Sequence, residues 1–187
     1  FCAVANERYV YVIGGMGADW RAVNTVYRLS LETYEWATMV PMGTARSECA
    51  GVLLDGYLHI FGGLDDEYDN LTSVERYSIV GNTWEDLPDM AEARQGHCAV
   101  AAMRNEIHIL GGETRVLEVF DIALLEWRTE ARLCDMPASM SAAAAVVLKN
   151  RYLVMIGGED EDYNSSAGCL IYDCSINQWS STPASMN

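Results

Sequence analysis

The chain has 187 residues and a formal net charge of −15 at pH 7, and half of its residues are hydrophobic. The acidic excess argues against nucleic acid and anionic membranes as partners, because both need a positively charged surface. It allows a basic partner and favours solubility even without one. No segment approaches the roughly 20 apolar residues of a membrane-spanning helix.

Along the chain, one sequence unit occurs four times. Each unit has a short apolar segment ending in a glycine pair, then a large apolar residue, and then a tryptophan seven residues later. The apolar segments are Tyr9–Ile13, Tyr57–Phe61, Ile107–Leu110 and Tyr152–Ile156. The glycine pairs are Gly14-Gly15, Gly62-Gly63, Gly111-Gly112 and Gly157-Gly158. The large apolar residues are Leu29, Tyr77, Phe120 and Tyr172, and the tryptophans are Trp36, Trp84, Trp127 and Trp179. Successive glycine pairs are 48, 49 and 46 residues apart, a period that indicates a repeat architecture.

A further segment, rich in alanine, cysteine and glycine, precedes each apolar segment. In chain order these segments are Phe1–Ala5, Cys49–Leu54, Cys98–Met103 and Ala142–Leu148. They predict four strands per repeat: strand A of small residues, strand B before the glycine pair, strand C with the large apolar residue and strand D near tryptophan. Small residues suit the strand that lies nearest a crowded central axis.

The glycine pair, aromatic residue and tryptophan, repeated in register over all 187 residues, resemble the kelch repeat. The resemblance implies an all-β propeller whose four-stranded antiparallel blades span about residues 1–41, 42–89, 90–136 and 137–187. Kelch propellers usually have about six blades and share one blade between their termini. We therefore expect four blades of a larger, roughly six-bladed ring, with the rest of the parent protein missing; a complete four-bladed ring is the alternative.

The long B–C and D–A connections fall on the same face of an antiparallel blade, and binding residues concentrate on such loops. Two B–C loops are acidic and carry Tyr68 and Tyr163, while the first carries Trp20, which stands outside the repeat pattern. Exposed aromatic residues are good anchors for a partner, although Trp20 could also pack back on its own loop. The acidic loops are interpreted as a solvated rim, with a Lys/Arg-rich peptide as the simplest ligand.

The acidic loop that starts at Asp65 does not fit a calcium site. Its sixth position is Asn70 rather than glycine, and its twelfth is Arg76 rather than glutamate. We therefore predict no metal ion and no cofactor.

Two arginines, Arg46 and Arg94, occupy the same repeat position just before strand A. The resemblance to kelch substrate adaptors implies that they line the pocket and clamp an acidic peptide. Alternatively, each arginine pairs with the acidic loop beside it. In the fourth repeat this position falls on Met140 or Ser141. His97 flanks Arg94 and is the histidine with a plausible role in a site, whereas His59 and His108 are predicted to be buried with satisfied nitrogens.

The six cysteines form no Cys-x-x-Cys pair, and Cys49 and Cys98 share one repeat position. This favours small core residues over redox partners, and it predicts a reduced, intracellular, cytoplasmic protein.

The function predicted from these features is a protein-binding module. By resemblance it is a ubiquitin-ligase substrate receptor or, alternatively, a cytoskeletal or organelle scaffold. Kelch-type enzymes (copper oxidases, mutarotases and specifier proteins) are disfavoured, because a copper site needs converging histidines and tyrosines and the chain has three histidines. No catalytic residue is predicted.

Overall fold

The computed structural model describes residues 1–103, 105–128 and 133–182, and within them sixteen strands form four antiparallel sheets. In every sheet the strands lie in the order A, B, C, D. The predicted all-β fold of four-stranded antiparallel blades is therefore confirmed. No helix in these ranges has the length and apolarity to cross a membrane.

The first blade contains β1 (Cys2–Ala5), β2 (Tyr9–Ile13), β3 (Val26–Ser30) and β4 (Trp36–Thr38). The second contains β5 (Ala50–Leu54), β6 (Tyr57–Phe61), β7 (Val74–Ser78) and β8 (Thr83–Leu87). The third contains β9 (His97–Ala102), β10 (Glu106–Gly111), β11 (Glu118–Asp121) and β12 (Glu126–Trp127). The fourth contains β13 (Ala144–Leu148), β14 (Tyr152–Ile156), β15 (Cys169–Asp173) and β16 (Gln178–Ser181).

The chain divides into two compact units, Phe1–Gln95 with the first two blades and a unit from Gly96 onward with the other two. Within each unit the A strands of the two blades are in contact, β1 with β5 and β9 with β13. Small residues allow this approach, since a Cβ atom on Gly51 would lie 2.7 Å from Cys2 Sγ. This is the physical reason for the unusual composition of the A strands.

The B strands supply much of each core. Every residue of β10 is buried, and so are the last four residues of β6, because neighbouring structure covers both faces of these strands. In the first unit Tyr11, Leu58 and Tyr77 are fully buried. In the second unit Leu153 and Tyr172 are the corresponding buried core residues.

The repeat tryptophans Trp84 and Trp179 join neighbouring blades. Trp84 packs on Tyr77 with ring centroids 5.1 Å apart, and its Nε1 donates a hydrogen bond of 2.8 Å to the carbonyl of Val40 in the preceding blade. Trp179 repeats both contacts in the second unit, with Tyr172 at 5.0 Å and the carbonyl of Cys134 at 2.8 Å. Each tryptophan thus stabilises its own blade and attaches it to the one before.

Trp36 departs from this pattern. Its partner on β3 is Leu29 rather than an aromatic residue, and Trp36 is 59% exposed. Its Nε1 has no hydrogen-bond partner in the part of the chain that the structure describes. Trp36 is therefore a repeat residue by sequence, but it is not a core residue of this unit.

All six cysteines are free thiols; Cys2 on β1 and Cys98 on β9 are buried, and so is Cys49 directly before β5. Burial raises the pKa of Cys2 to about 12 and that of Cys98 to about 11. Protonated thiols of this kind behave as small apolar residues, in agreement with the prediction for Cys49 and Cys98.

Candidate binding face

Three B–C loops carry an aromatic residue at one shared position. Trp20, Tyr68 and Tyr163 each stand five residues after the second glycine of their repeat. Their φ angles are 63°, 67° and 60°, and the side chains are 73%, 57% and 78% exposed. Trp20 therefore belongs to the repeat pattern after all, and it does not pack back on its own loop.

The three loops have a common backbone. In each, the amide of the aromatic residue donates to the carbonyl three residues earlier: Trp20 to Gly17, Tyr68 to Asp65 and Tyr163 to Asp160. Loop carboxylates complete the turns. Asp65 Oδ1 accepts the amides of residues 67 and 69, and Asp160 Oδ1 accepts those of residues 162 and 164. These bonds lower the pKa of the Asp160 carboxyl, the largest cause being the amide of residue 164. Part of the acidic sequence thus shapes the loops.

Two of the aromatic loops are joined directly in the first unit. The Tyr68 hydroxyl donates a hydrogen bond of 2.7 Å to the carbonyl of Trp20. Beside it, Arg21 Nη1 lies 3.8 Å from Asp66 Oδ2. The two exposed rings are therefore held on adjacent, ordered loops, as an anchor for a partner requires.

The glycine pairs bring the D–A connections to the B–C loops. The second glycine donates its amide to a carbonyl four residues before the next A strand: Gly15 to Arg46 at 2.9 Å and Gly112 to Met140 at 2.8 Å. A Cβ atom on Gly14 would lie 2.3 Å from the Arg46 carbonyl oxygen, and Gly14 has a φ of 60°. Only glycine combines this conformation with this approach. The same contact identifies Met140, not Ser141, as the residue at the arginine position of the fourth repeat.

The role predicted for Arg46 is wrong. Arg46 is fully buried, and its guanidinium donates to the carbonyls of Gly62 and Ser73 and to Glu75 Oε1 at 2.7 Å. Glu75 also accepts the amides of Gly43 and Thr44. Arg46 therefore holds its own blade together and is not available to clamp a peptide. It pairs with strand C, not with the acidic loop.

Arg94 is likewise fully buried, which contradicts the prediction that its guanidinium lines an open pocket. Its main chain repeats the pattern of Arg46, since its carbonyl accepts the amide of Gly63 at 2.8 Å.

The fourth blade replaces the buried ion pair by apolar residues. Glu75 stands two residues before Tyr77, and Leu170 stands two residues before Tyr172. Leu170 packs against the core cluster that contains Met140, and a cavity of about 190 Å³ remains beside the two. The Arg46–Glu75 pair of the second blade thus becomes Met140 and Leu170 in the fourth.

The histidines lie inside the blades. His97 begins β9 and is 7% exposed, so the prediction that its ring belongs to an accessible site is wrong. His108 is buried with Nε2 3.0 Å from Glu106 Oε2. His59 is buried too, but neither ring nitrogen has a hydrogen-bond partner among the described residues, contrary to the expectation of satisfied nitrogens. Burial, reinforced by Arg76, lowers the pKa of His59 to about 4, so the ring is neutral at pH 7.

A cavity of about 230 Å³ opens beside Tyr163 in the second unit. Its lining comes from one D–A connection and two B–C loops: Glu113, Ser139, Ser141, Glu159, Asp160, Glu161 and Tyr163. The amides and carbonyls of Ser141 and Glu159 form a reciprocal bridge that holds the two sides together. Ser139 lines the cavity although nothing in its local sequence marks it as a site residue.

Comparison with known protein families finds the Kelch motif at residues 1–43 and again at residues 45–91. These two matches cover the first and second blades. No curated protein matches the chain.

Proposed function

The chain belongs to the kelch-repeat family, and we propose that it is a module that binds a peptide or protein partner through its B–C and D–A loops. The observation that carries the proposal is the exposed aromatic residue at one repeat position of three loops, Trp20, Tyr68 and Tyr163. Aromatic residues dominate the energetics of protein interfaces. Here their backbone is fixed in advance, which reduces the entropy lost on binding.

A binding role is favoured over an enzymatic one by the position of the reactive side chains. His59, His97 and His108 are buried in strands or at their ends, and Arg46 is used by the fold. The groups that reach solvent on this face include the aromatic rings of Trp20, Tyr68 and Tyr163 and several carboxylates, which suit recognition of a partner.

Two biological settings follow from the resemblance, a ubiquitin-ligase substrate receptor and a cytoskeletal or organelle scaffold. We propose the receptor, acting inside the cell; the six free thiols support a reducing compartment. The partner's lifetime separates the two settings. Depletion of a receptor lengthens that lifetime, whereas depletion of a scaffold changes the partner's location and leaves its lifetime unchanged.

The loop face is tested by selecting binders from a random peptide library displayed on phage, with the intact chain as bait. We expect selected peptides to lose at least about tenfold in affinity when Trp20, Tyr68 and Tyr163 are replaced by alanine, because interface aromatics each contribute about 2 kcal/mol or more.

The matched control is Tyr34→Ala. Tyr34 is 76% exposed with a φ of 59°, but it lies between β3 and β4, at the opposite end of the blade. Binding that survives the triple substitution, or that falls equally with Tyr34→Ala, would contradict the proposal.

A further inference from the structure

We propose that the cavity beside Tyr163 is a recognition pocket for a basic side chain of the partner, arginine in particular. The inference rests on the proposed binding function and specifies the chemistry of one subsite. It concerns the second unit alone, where one D–A connection and two B–C loops line the cavity.

The carboxylates of the cavity are not all used by the fold. Asp160 is engaged in shaping its own loop. Glu159 and Glu161, by contrast, form no side-chain hydrogen bond or ion pair with any residue that the structure describes. Glu159 is half-buried and Glu161 exposed, so a cation that enters would meet one partly desolvated carboxylate and one at the rim. Partial desolvation strengthens such a pairing relative to one in open solvent.

A buried hydroxyl provides independent support. Ser139 is 4% exposed and lines the cavity, and its side chain has no hydrogen-bond partner within the described ranges. A guanidinium N–H that donates to Ser139 Oγ would supply the missing bond.

Tyr163 adds an aromatic wall at the mouth of the cavity. Its ring is 78% exposed, so one face is available to a ligand. A guanidinium stacks on such a ring while it donates in its own plane to carboxylates, which a spherical ammonium cannot do equally well. This combination of ring, carboxylates and hydroxyl is the reason for choosing arginine.

The first unit shows why the pocket is specific to the second. There the position of Glu159 is taken by Leu64, which is buried and forms the equivalent bridge to Ser47. The position of Glu161 is taken by Asp66, whose carboxylate already lies beside the chain's own Arg21 at 3.8 Å. In the first unit Arg21 of the same chain therefore neutralises Asp66, whereas in the second unit the corresponding Glu161 is available to a cation of the partner.

The direct test is an NMR titration of the intact chain with N-acetyl-arginine amide, and in parallel with N-acetyl-citrulline amide, its neutral isostere. We expect the arginine probe to shift the amides around Ser139, Glu159 and Tyr163 and to bind at least about tenfold more tightly than citrulline, because charge-assisted hydrogen bonds are about twice as strong as neutral ones. The double variant Glu159→Gln/Glu161→Gln should lose this preference.

The matched control is Glu7→Gln/Glu32→Gln, in a cleft of about 260 Å³ that also contains Arg8; it should leave the titration unchanged. Equal binding of arginine and citrulline, or shifts confined to other residues, would overturn the pocket. Selected phage peptides that depend on Trp20 and Tyr68 but contain no basic residue would also overturn it, while leaving the proposed function intact.

Discussion

The aromatic residues of the binding face share a single backbone conformation. A φ near +60° lies in the left-handed region, which residues other than glycine adopt uncommonly. Trp20, Tyr68 and Tyr163 adopt this conformation, although it is unfavourable for bulky residues. An aromatic residue kept at a strained and exposed position in three repeats contributes nothing to the core, which is consistent with a role in recognition.

His59 makes the stability of the first unit dependent on pH. Its pKa in the folded chain is about 4 and its ordinary value is 6.5, so between these pH values the unfolded chain binds a proton that the folded chain does not. The stability that the neutral His59 ring contributes to the folded state is fully present above pH 6.5 and is lost as the pH falls towards 4. We expect a loss of about 3 kcal/mol in the free energy of unfolding from this residue.

The measurement is urea unfolding of the native chain and of His59→Leu at several pH values. Acidic residues titrate in both proteins, so the difference between the two isolates the histidine. The native chain should lose stability relative to the variant as the pH falls below 6.5. Parallel pH profiles would show that His59 carries its proton in the folded chain or is not buried.

At the scale of the elements, one position in the blade is filled in two ways: by the Arg46–Glu75 ion pair in the second blade and by apolar residues in the fourth. A buried ion pair is often replaceable by well-packed apolar residues at little cost, but loss of one partner leaves a buried charge. The fourth blade demonstrates the replacement with Met140 and Leu170. The arginine position is therefore a packing site whose side chain must match a residue on strand C.

The prediction is a double-mutant cycle with Arg46→Met and Glu75→Leu. Each single variant should lose about 3–5 kcal/mol of unfolding free energy, because one charge is left without its partner. The double variant should be more stable than either single variant, with a coupling energy above about 1 kcal/mol. Equilibrium urea unfolding measures all four proteins.

The control is the same pair of changes at the exposed Arg21–Asp66 pair, where coupling should stay below about 1 kcal/mol. Additive effects at Arg46 and Glu75 would mean that the pair is not a unit.

For the whole molecule, the net charge of −15 determines how strongly a charged partner is attracted or repelled before contact. A basic partner is attracted before contact, and salt screens this attraction over a Debye length of about 8–10 Å. Raising NaCl from about 0.05 to about 0.5 M should therefore slow association of a selected arginine-containing peptide much more than it accelerates dissociation. Surface plasmon resonance resolves the two rates. A salt effect confined to dissociation would contradict steering by the overall charge.

The repeat allowed the fold to be predicted in detail, because strand order and strand ends follow from patterns that recur four times. Every predicted A and B strand ends within two residues of its observed limits. The residues of the binding face could be predicted from the sequence only in part. The fixed spacing of five residues from the glycine pair would have placed Trp20 with Tyr68 and Tyr163, and the glutamate two residues before Tyr77 hinted at a partner for Arg46. The burial of Arg46, Arg94 and His97 depends on contacts between distant segments, which local sequence does not encode.

The links between adjoining blades use main-chain atoms of the neighbour. Gly15 and Gly112 donate to the carbonyls of Arg46 and Met140, and the indoles of Trp84 and Trp179 donate to those of Val40 and Cys134. A carbonyl oxygen is the same whichever amino acid carries it. A duplicated repeat that keeps its glycine pair and tryptophan can therefore attach to its neighbour from the start, and its loop side chains remain free to diverge. Such joints allow a gene to lengthen by copying and each copy to acquire a separate specificity, as the unlike loops of these four blades illustrate.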